Sequence, residues 1–229
     1  MIKIEVSQKD VAYLLGTLNG FPKECQGAMW QAVKRSLMTA RKELTNEIAK
    51  VSYLQKSMIR EAILPVQMFG KKKAAHDRRY KVDDRSSVFG VIRISGRKMP
   101  LDAYKLVPDR PTRPKGMPRE KVSRAGFKLG PGRPVQHWGK SSGRSEGFVL
   151  RGKSGKLRFM VEKLGRRHRW QGRSVPTLIW VKGYPVQYFA VFDDVAGQVG
   201  DKSKKRFIDV LKHEIDFRIT KLASQGKIR

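Results

Sequence analysis

In the stretch 147–161, GFVLRGKSGKLRFMV, Gly147, Gly152, Lys153 and Ser154 stand at the spacing G-x-x-x-x-G-K-[ST]. In nucleotide hydrolases that spacing builds a glycine-rich loop around phosphates, with the lysine and hydroxyl reaching the terminal phosphates and their magnesium. The chemistry needs a helix that opens at the Lys-Ser pair, because its first amides bind the phosphates. Here Gly155, Lys156 and the β-favouring run 157–161 follow, and the run 148–150 precedes. Apolar runs on both sides of a glycine-bounded turn predict a β-hairpin instead. Lys153 is then a turn residue.

Other chemistry-bearing residues are dispersed. His76, His137, His168 and His213 lack partners at metal-ligand spacing, and neither H-E-x-x-H nor G-x-S-x-G occurs. Asp83-Asp84 and Asp193-Asp194 are adjacent pairs, which point apart on a strand and lie about 100° apart on a helix. Only carboxylates gathered from distant positions would leave room for a two-metal nuclease. The expectation is a non-enzymatic chain with no catalytic, metal or cofactor site.

Charge is the strongest signal. Fifty Lys and Arg face twenty Asp and Glu among 229 residues, a formal net charge of +30. Such an excess repels itself and calls for anionic partners, either nucleic acid or acidic protein surfaces. From 97 to 173 there are 22 cationic and five acidic residues, interleaved with Trp138, Phe148, Phe159 and Trp170. Cations neutralise phosphates and aromatics can stack on bases. The hairpin positions of Phe148 and Phe159 favour core packing for those two. The segment GRRHRWQGR, with Arg166, Arg167, Arg169 and Arg173, is the densest patch. A second cationic set is Arg110, Arg113, Lys115, Arg119, Lys121, Arg124, Lys128 and Arg133. These twelve are the candidate contacts to DNA or to protein partners.

The elements that must position them read as follows. Ile2, Ile4 and Val6 begin a strand, and Ser7 with Asp10 forms a capping box before Val11, Leu14, Leu15 and Leu18 on one helix face. NGFP breaks that helix. A long basic helix is predicted over 23–50, with Met29, Val33, Leu37, Ala40, Leu44 and Ile48 near helical spacing. Cys25 is the single cysteine and reads as a small core residue, which suits a reducing cytoplasm. Ser52 and Gln55 form a second capping box for a helix with Leu54, Met58 and Ala62, ending near Pro65. SYLQKSMIREAI is a weak match to half a helix-turn-helix, because no turn of the needed kind precedes it.

Residues 88–94 read as a strand and 99–108 as a second extended piece. The span 108–136 holds six of the eleven prolines and reads as a long extended basic loop, continuing to about 146. After Tyr184-Pro185 comes a short helix or irregular packed segment. Gly197 and Gly200 separate it from a final helix over about 202–224, with Phe207, Leu211, Ile215, Ile219 and Leu222 on one side. The fold class is α+β in a single domain: a helical part at 1–64, a β-rich part at 86–182 and a helical part at 183–229. No leader or membrane-spanning run is expected.

Taken in order, AMWQAVKRSLMTARKELTNEIAK with SYLQKSMIREAI, VIRISGRKMPLDAY, GFKLGPGRPVQHW with GFVLRGKSGKLRFMVEK, and GYPVQYFAVFDDV resemble the phage minor tail protein Z family. These collinear pieces cover most of the chain, while GRRHRWQGRSVPTLIW is longer than the family pattern. The resemblance implies a structural virion protein that completes the tail and joins it to the DNA-filled head. It implies neighbouring neck and tail proteins as partners, a ring of copies (a hexamer first), nearness to the DNA end and no membrane. The chain would pass through the host cytoplasm during assembly. The rival class is a cellular nucleic-acid-binding protein, ribosomal or nucleoid-associated, whose signature would be a complete recognition motif.

Overall fold

The structure, a computed structural model, describes residues 2–6, 12–18, 20–69, 88–112, 125–138, 146–152, 154–170 and 173–227. The fold is α+β with antiparallel sheets. The chain forms two compact units: 1–46 with 63–95 and 190–229, and 47–62 with 96–189. Each is stitched from separated segments. No helix among the described residues is long and apolar enough to cross a membrane.

The first unit holds strands β1 (Ile2–Val6), β2 (Gln67–Phe69) and β3 (Val88–Ile92), in the antiparallel order β1-β3-β2. Helix α1 (Ala12–Leu15) continues as a 3-10 turn over Gly16–Leu18, so this element is shorter than its apolar spacing predicts. The Ser7–Asp10 capping box lies outside the described residues. Gly20, at φ +93°, reverses the chain, and Pro22 opens α2 (Pro22–Val51), where a missing amide costs nothing. The stripe Met29, Val33, Leu37, Ala40, Leu44 and Ile48 is buried throughout, as is Cys25, whose thiol donates to the Leu18 carbonyl at 3.4 Å. All five residues of β3 are buried, and Gly90 in its centre lies against Val33, Leu37 and Met68.

The last helix of the chain, α5 (Val195–Ser224), is tied to α2 by three ion pairs. Arg218 pairs with Glu24, Arg35 with Glu214 at 2.5 Å, and Arg206 with Glu43 at 2.6 Å. Positions rise along α2 as they fall along α5, so the helices run antiparallel. Gly27 leaves the space in which the Arg218 guanidinium lies. The Glu43 hydrogen bond raises the pKa of Arg206 against the opposing effect of burial.

Here the structure corrects the reading of Gly197 and Gly200. Both are inside α5, which starts at Val195 rather than near 202. An interior glycine costs a helix about 1 kcal/mol, which does not stop it when packing holds both sides. The turn comes earlier, at Asp194 with φ +50°, whose carboxylate fills the space where a Cβ on Gly197 would sit. Phe207, Leu211, Ile215 and Leu222 are buried as the spacing predicts.

The second unit contains α3 (Lys56–Ala62), β4 (Lys98–Pro100), β5 (Lys105–Val107), β6 (Gly126–Lys128), β7 (Gln136–His137), β8 (Phe148–Arg151), β9 (Leu157–Trp170), β10 (Arg173–Trp180), β11 (Lys182–Pro185) and most of α4 (Val186–Phe192). They make three sheets, β10-β9-β8, β5-β6-β7 and β11-β4. The second capping box is not formed: Ser52 Oγ donates to the Ile48 carbonyl at 2.8 Å and α3 starts at Lys56. Leu54 is buried ahead of the helix. The extended piece at 99–108 is two short strands around a 3-10 turn at Leu101–Ala103. The long basic loop is also interrupted, because β6 and β7 fall within it. Its prolines flank GFK rather than lie in it, so the β5-β6 ladder keeps its donors.

Tyr104, Phe127 and Phe159 run as a chain of ring contacts, with centroids 6.5 and 5.8 Å apart, and Phe189 joins at 6.1 Å from Tyr104. The Tyr104 hydroxyl donates to the Tyr184 carbonyl at 2.6 Å, and burial pushes its pKa well above the ordinary tyrosine value.

Two glycine substitutions should separate close approach from mere helix propensity. Gly90→Ala overpacks β3 against α2 and should lower the unfolding free energy by about 1–3 kcal/mol. Gly200→Ala meets no atom within 4 Å and should raise it by about 0.5–1 kcal/mol. Denaturant unfolding of both variants reads the difference, and equal effects would contradict the packing at Gly90.

Candidate functional site

The phosphate-loop pattern resolves into a hairpin. β8 pairs with β9 from Arg151↔Leu157 to Phe148↔Met160. The Gly152 amide donates to Lys156 O at 2.8 Å and the Gly155 amide to Gly152 O at 3.0 Å, with Gly155 at φ +77°. Strand β9, and not a helix, follows the Lys-Ser pair. Phe148 and Phe159 are buried, in line with the packing reading.

The GRRHRWQGR patch lies on a second, longer hairpin that sequence reasoning did not recognise. β9 and β10 pair from Trp180↔Met160 to Thr177↔Lys163, and then from Pro176↔Arg167 to Arg173↔Trp170. Between these runs β9 carries three residues, Leu164, Gly165 and Arg166, that face no β10 residue. Gly165 adopts φ +75°, a left-handed conformation suited to such a bulge, and Pro176, which has no amide to donate, stands opposite. Beyond the bulge the two strands continue as a ribbon. Arg166, Arg167 and Arg169 are exposed on it, and Arg167 Nη2 donates to Ser174 O at 2.9 Å. Arg173 begins β10 on the same ribbon. The chain has no Asp or Glu from 163 to 192, and the one carboxylate of the two strands, Glu162, is buried before the bulge. Val175, Thr177 and Ile179 alternate with other residues, which was the available signal. The bulge and Pro176 break the period that would have revealed it.

The remaining candidates divide. Arg110 is exposed before Thr112. Arg113, Lys115, Arg119, Lys121 and Arg124 lie outside the described residues, but the two ends of their segment are anchored on the same strand edge. Thr112 exchanges hydrogen bonds with Val149 at 2.8 and 3.0 Å, and the Ala125 amide donates to Gly147 O at 3.2 Å. Lys128 is half-buried and faces Lys105 across β5-β6. The Lys105 ammonium lies 5.6 Å from the centre of the Tyr53 ring, an attraction that offsets the like-charge repulsion. Arg133 covers the rings of Tyr188 and Phe189 at 5.9 and 5.7 Å, so its guanidinium packs on the protein rather than standing free for a phosphate.

Arg158, which sequence reasoning did not single out, stacks 4.6 Å from the centre of the Trp180 ring. Its Nη1 lies 3.7 Å from Asp102 Oδ2, and Trp180 Nε1 donates to Asp102 Oδ1 at 3.0 Å. His137 Nδ1 lies 3.2 Å from Ala125 O, and His213 is exposed. The described residues hold no group of three or more His, Cys, Asp or Glu able to bind a metal; His76, Asp83 and Asp84 fall outside them. α2 and α3 are separated by four residues, a turn length that the sequence reading denied, but α3 is only seven residues and exposes both Arg60 and Glu61.

Three variants follow from this geometry. Lys153→Ala should leave stability within about 0.5 kcal/mol, with no ATP binding to lose; a measured ATP affinity that the change abolishes would refute the hairpin assignment. Arg133→Ala should cost about 0.5–2 kcal/mol of stability by uncovering two rings, whereas the triple change of Arg166, Arg167 and Arg169 to Ser should leave the melting temperature nearly unchanged.

No protein-family model, no curated protein and no solved structure matches this chain.

Proposed function

We propose that this chain is a non-enzymatic structural protein of a tailed phage, completing the tail and joining it to the DNA-filled head. The observation that carries its polyanion-facing part is the arginine ribbon, with Arg166, Arg167 and Arg169 exposed on the part of the hairpin beyond Lys163, where the sequence holds no carboxylate. Counterion release from phosphates gives such a surface sequence-independent affinity for DNA. The joining role is supported by the collinear resemblance to minor tail protein Z. Copies would sit in a ring at the neck, a hexamer as the first expectation, against neck and tail proteins and near the DNA end. The free chain would self-associate weakly, because copies of charge +30 repel.

Two measurements test the reading. The purified protein should bind duplex DNA without sequence preference, and about six engaged phosphates would give a log-log salt slope near −5. The triple arginine-to-serine variant should flatten that slope by about 2 to 3. In a phage carrying the gene, its deletion should leave filled heads and full-length tails that do not form infectious particles. Missing or mis-sized tails would overturn the completion role. Normal infectious yield would overturn any structural role, and DNA binding in a non-viral gene context would favour the cellular nucleic-acid-binding class.

A further inference from the structure

The two edges of the sheet β10-β9-β8 differ. The β8 edge is closed by Thr112 and Ala125, as described above. At the other edge, no backbone hydrogen bond joins 173–180 to any described residue outside β9; the next group, Val181 O, accepts from the Leu101 amide at 3.0 Å. The open stretch Thr177, Leu178, Ile179 and Trp180 is β-branched or apolar throughout. Natural edge strands normally carry a charge, a proline or a bulge to prevent pairing with another chain, and here Pro176 and the bulge stop short of these four residues. Leu178 and Trp180, two residues apart and so on one face, are 38% and 46% exposed. The Trp180 ring is held in place by Asp102 and Arg158. A preorganised tryptophan beside an arginine is the composition of an interface anchor.

The charge around the edge selects the occupant. Lys163 stands across from Thr177, Arg167 across from Pro176, and Lys182 follows two residues after Trp180. The two carboxylates nearby are withdrawn from the surface: Glu162, across from Leu178, is buried, and Asp102 is engaged by Trp180 and Arg158. A second copy would bring the same cations to the same place. We infer that the free edge of β10 at 177–180 receives an extended, acidic strand of a partner protein, which pairs its backbone with β10 and rests an apolar side chain on Leu178 and Trp180. The inference goes beyond the joining role and does not require it.

A short fluorescein-labelled peptide alternating valine with aspartate or glutamate, titrated into the full-length protein at low salt, is the probe. Two N-methylated forms, blocked on one edge or the other, keep its charge and side chains. The unmodified peptide should bind, and one N-methylated form should bind about tenfold more weakly or worse. Leu178→Lys should weaken binding by about tenfold although it adds a cation, with folding checked by circular dichroism. Absence of binding, equal binding of both N-methylated forms, or unchanged or tighter binding to Leu178→Lys would overturn the inference. Dimerisation of the free protein that Leu178→Lys abolishes would assign the edge to a second copy. Displacement of the peptide by a DNA duplex, with Leu178→Lys binding the peptide as well as the parent does, would assign the surface to phosphate. Either result would also overturn it.

Discussion

Repulsion among fifty cations opposes every compact arrangement of this chain, and only twenty carboxylates are present to counter it. Where those carboxylates are used determines which cations remain for a partner. On the two longest helices, Glu24, Arg35 and Glu43 of α2 meet Arg218, Glu214 and Arg206 of α5. The sign alternates along each helix, so the pairs select a direction and a register as well as adding attraction. Sliding α5 until Arg206 reached Arg35 would set two guanidinium groups together. Glu214 is buried, and a carboxylate there without Arg35 would carry an uncompensated desolvation cost.

The same economy operates in the second unit with a different device. Asp102 serves Arg158 and Trp180 together, while Lys105 and Arg133 are set against aromatic rings. A ring face attracts a cation without using a carboxylate, which matters where acids are scarce. The ring chain of Tyr104, Phe127, Phe159 and Phe189 thus builds a core, and Phe189 at its end also takes part in covering Arg133. Among the described residues, Arg166, Arg167 and Arg169 on the hairpin beyond Lys163 have no carboxylate or ring of this kind beside them. Their guanidinium groups are exposed to water, where hydration lowers the cost of their mutual repulsion and leaves them accessible to an external anion.

The β9 bulge links this electrostatic pattern to shape. Three residues with no counterpart on β10 separate a buried run, including Phe159 and Val161, from the solvated arginine run. One strand can therefore serve a core at one end and a surface at the other. Gly165 allows the conformation and Pro176 tolerates the interruption, so each residue that obscures the strand in the sequence has a role in the ribbon.

Helix α2 was legible in the sequence because its six apolar positions repeat at the helical period for its whole length, and local spacing alone reports which face is buried. The 148–161 hairpin was legible because β-favouring runs flank glycines at short range. The start of α5 was not: local propensity marks Gly197 and Gly200 as breaks, whereas packing of the rest of the helix outweighs about 1 kcal/mol at each. Strands β6 and β7 were hidden because each is only two or three residues, and their existence depends on partners brought by the chain from elsewhere. The candidate contacts divided for the same reason. Composition determined that the chain is cationic and that 97–173 carries 22 cations against five acids, since charge is a property of residues. Whether Arg133 covers rings while Arg169 faces water was decided only by the tertiary structure, because burial belongs to the neighbours that folding supplies.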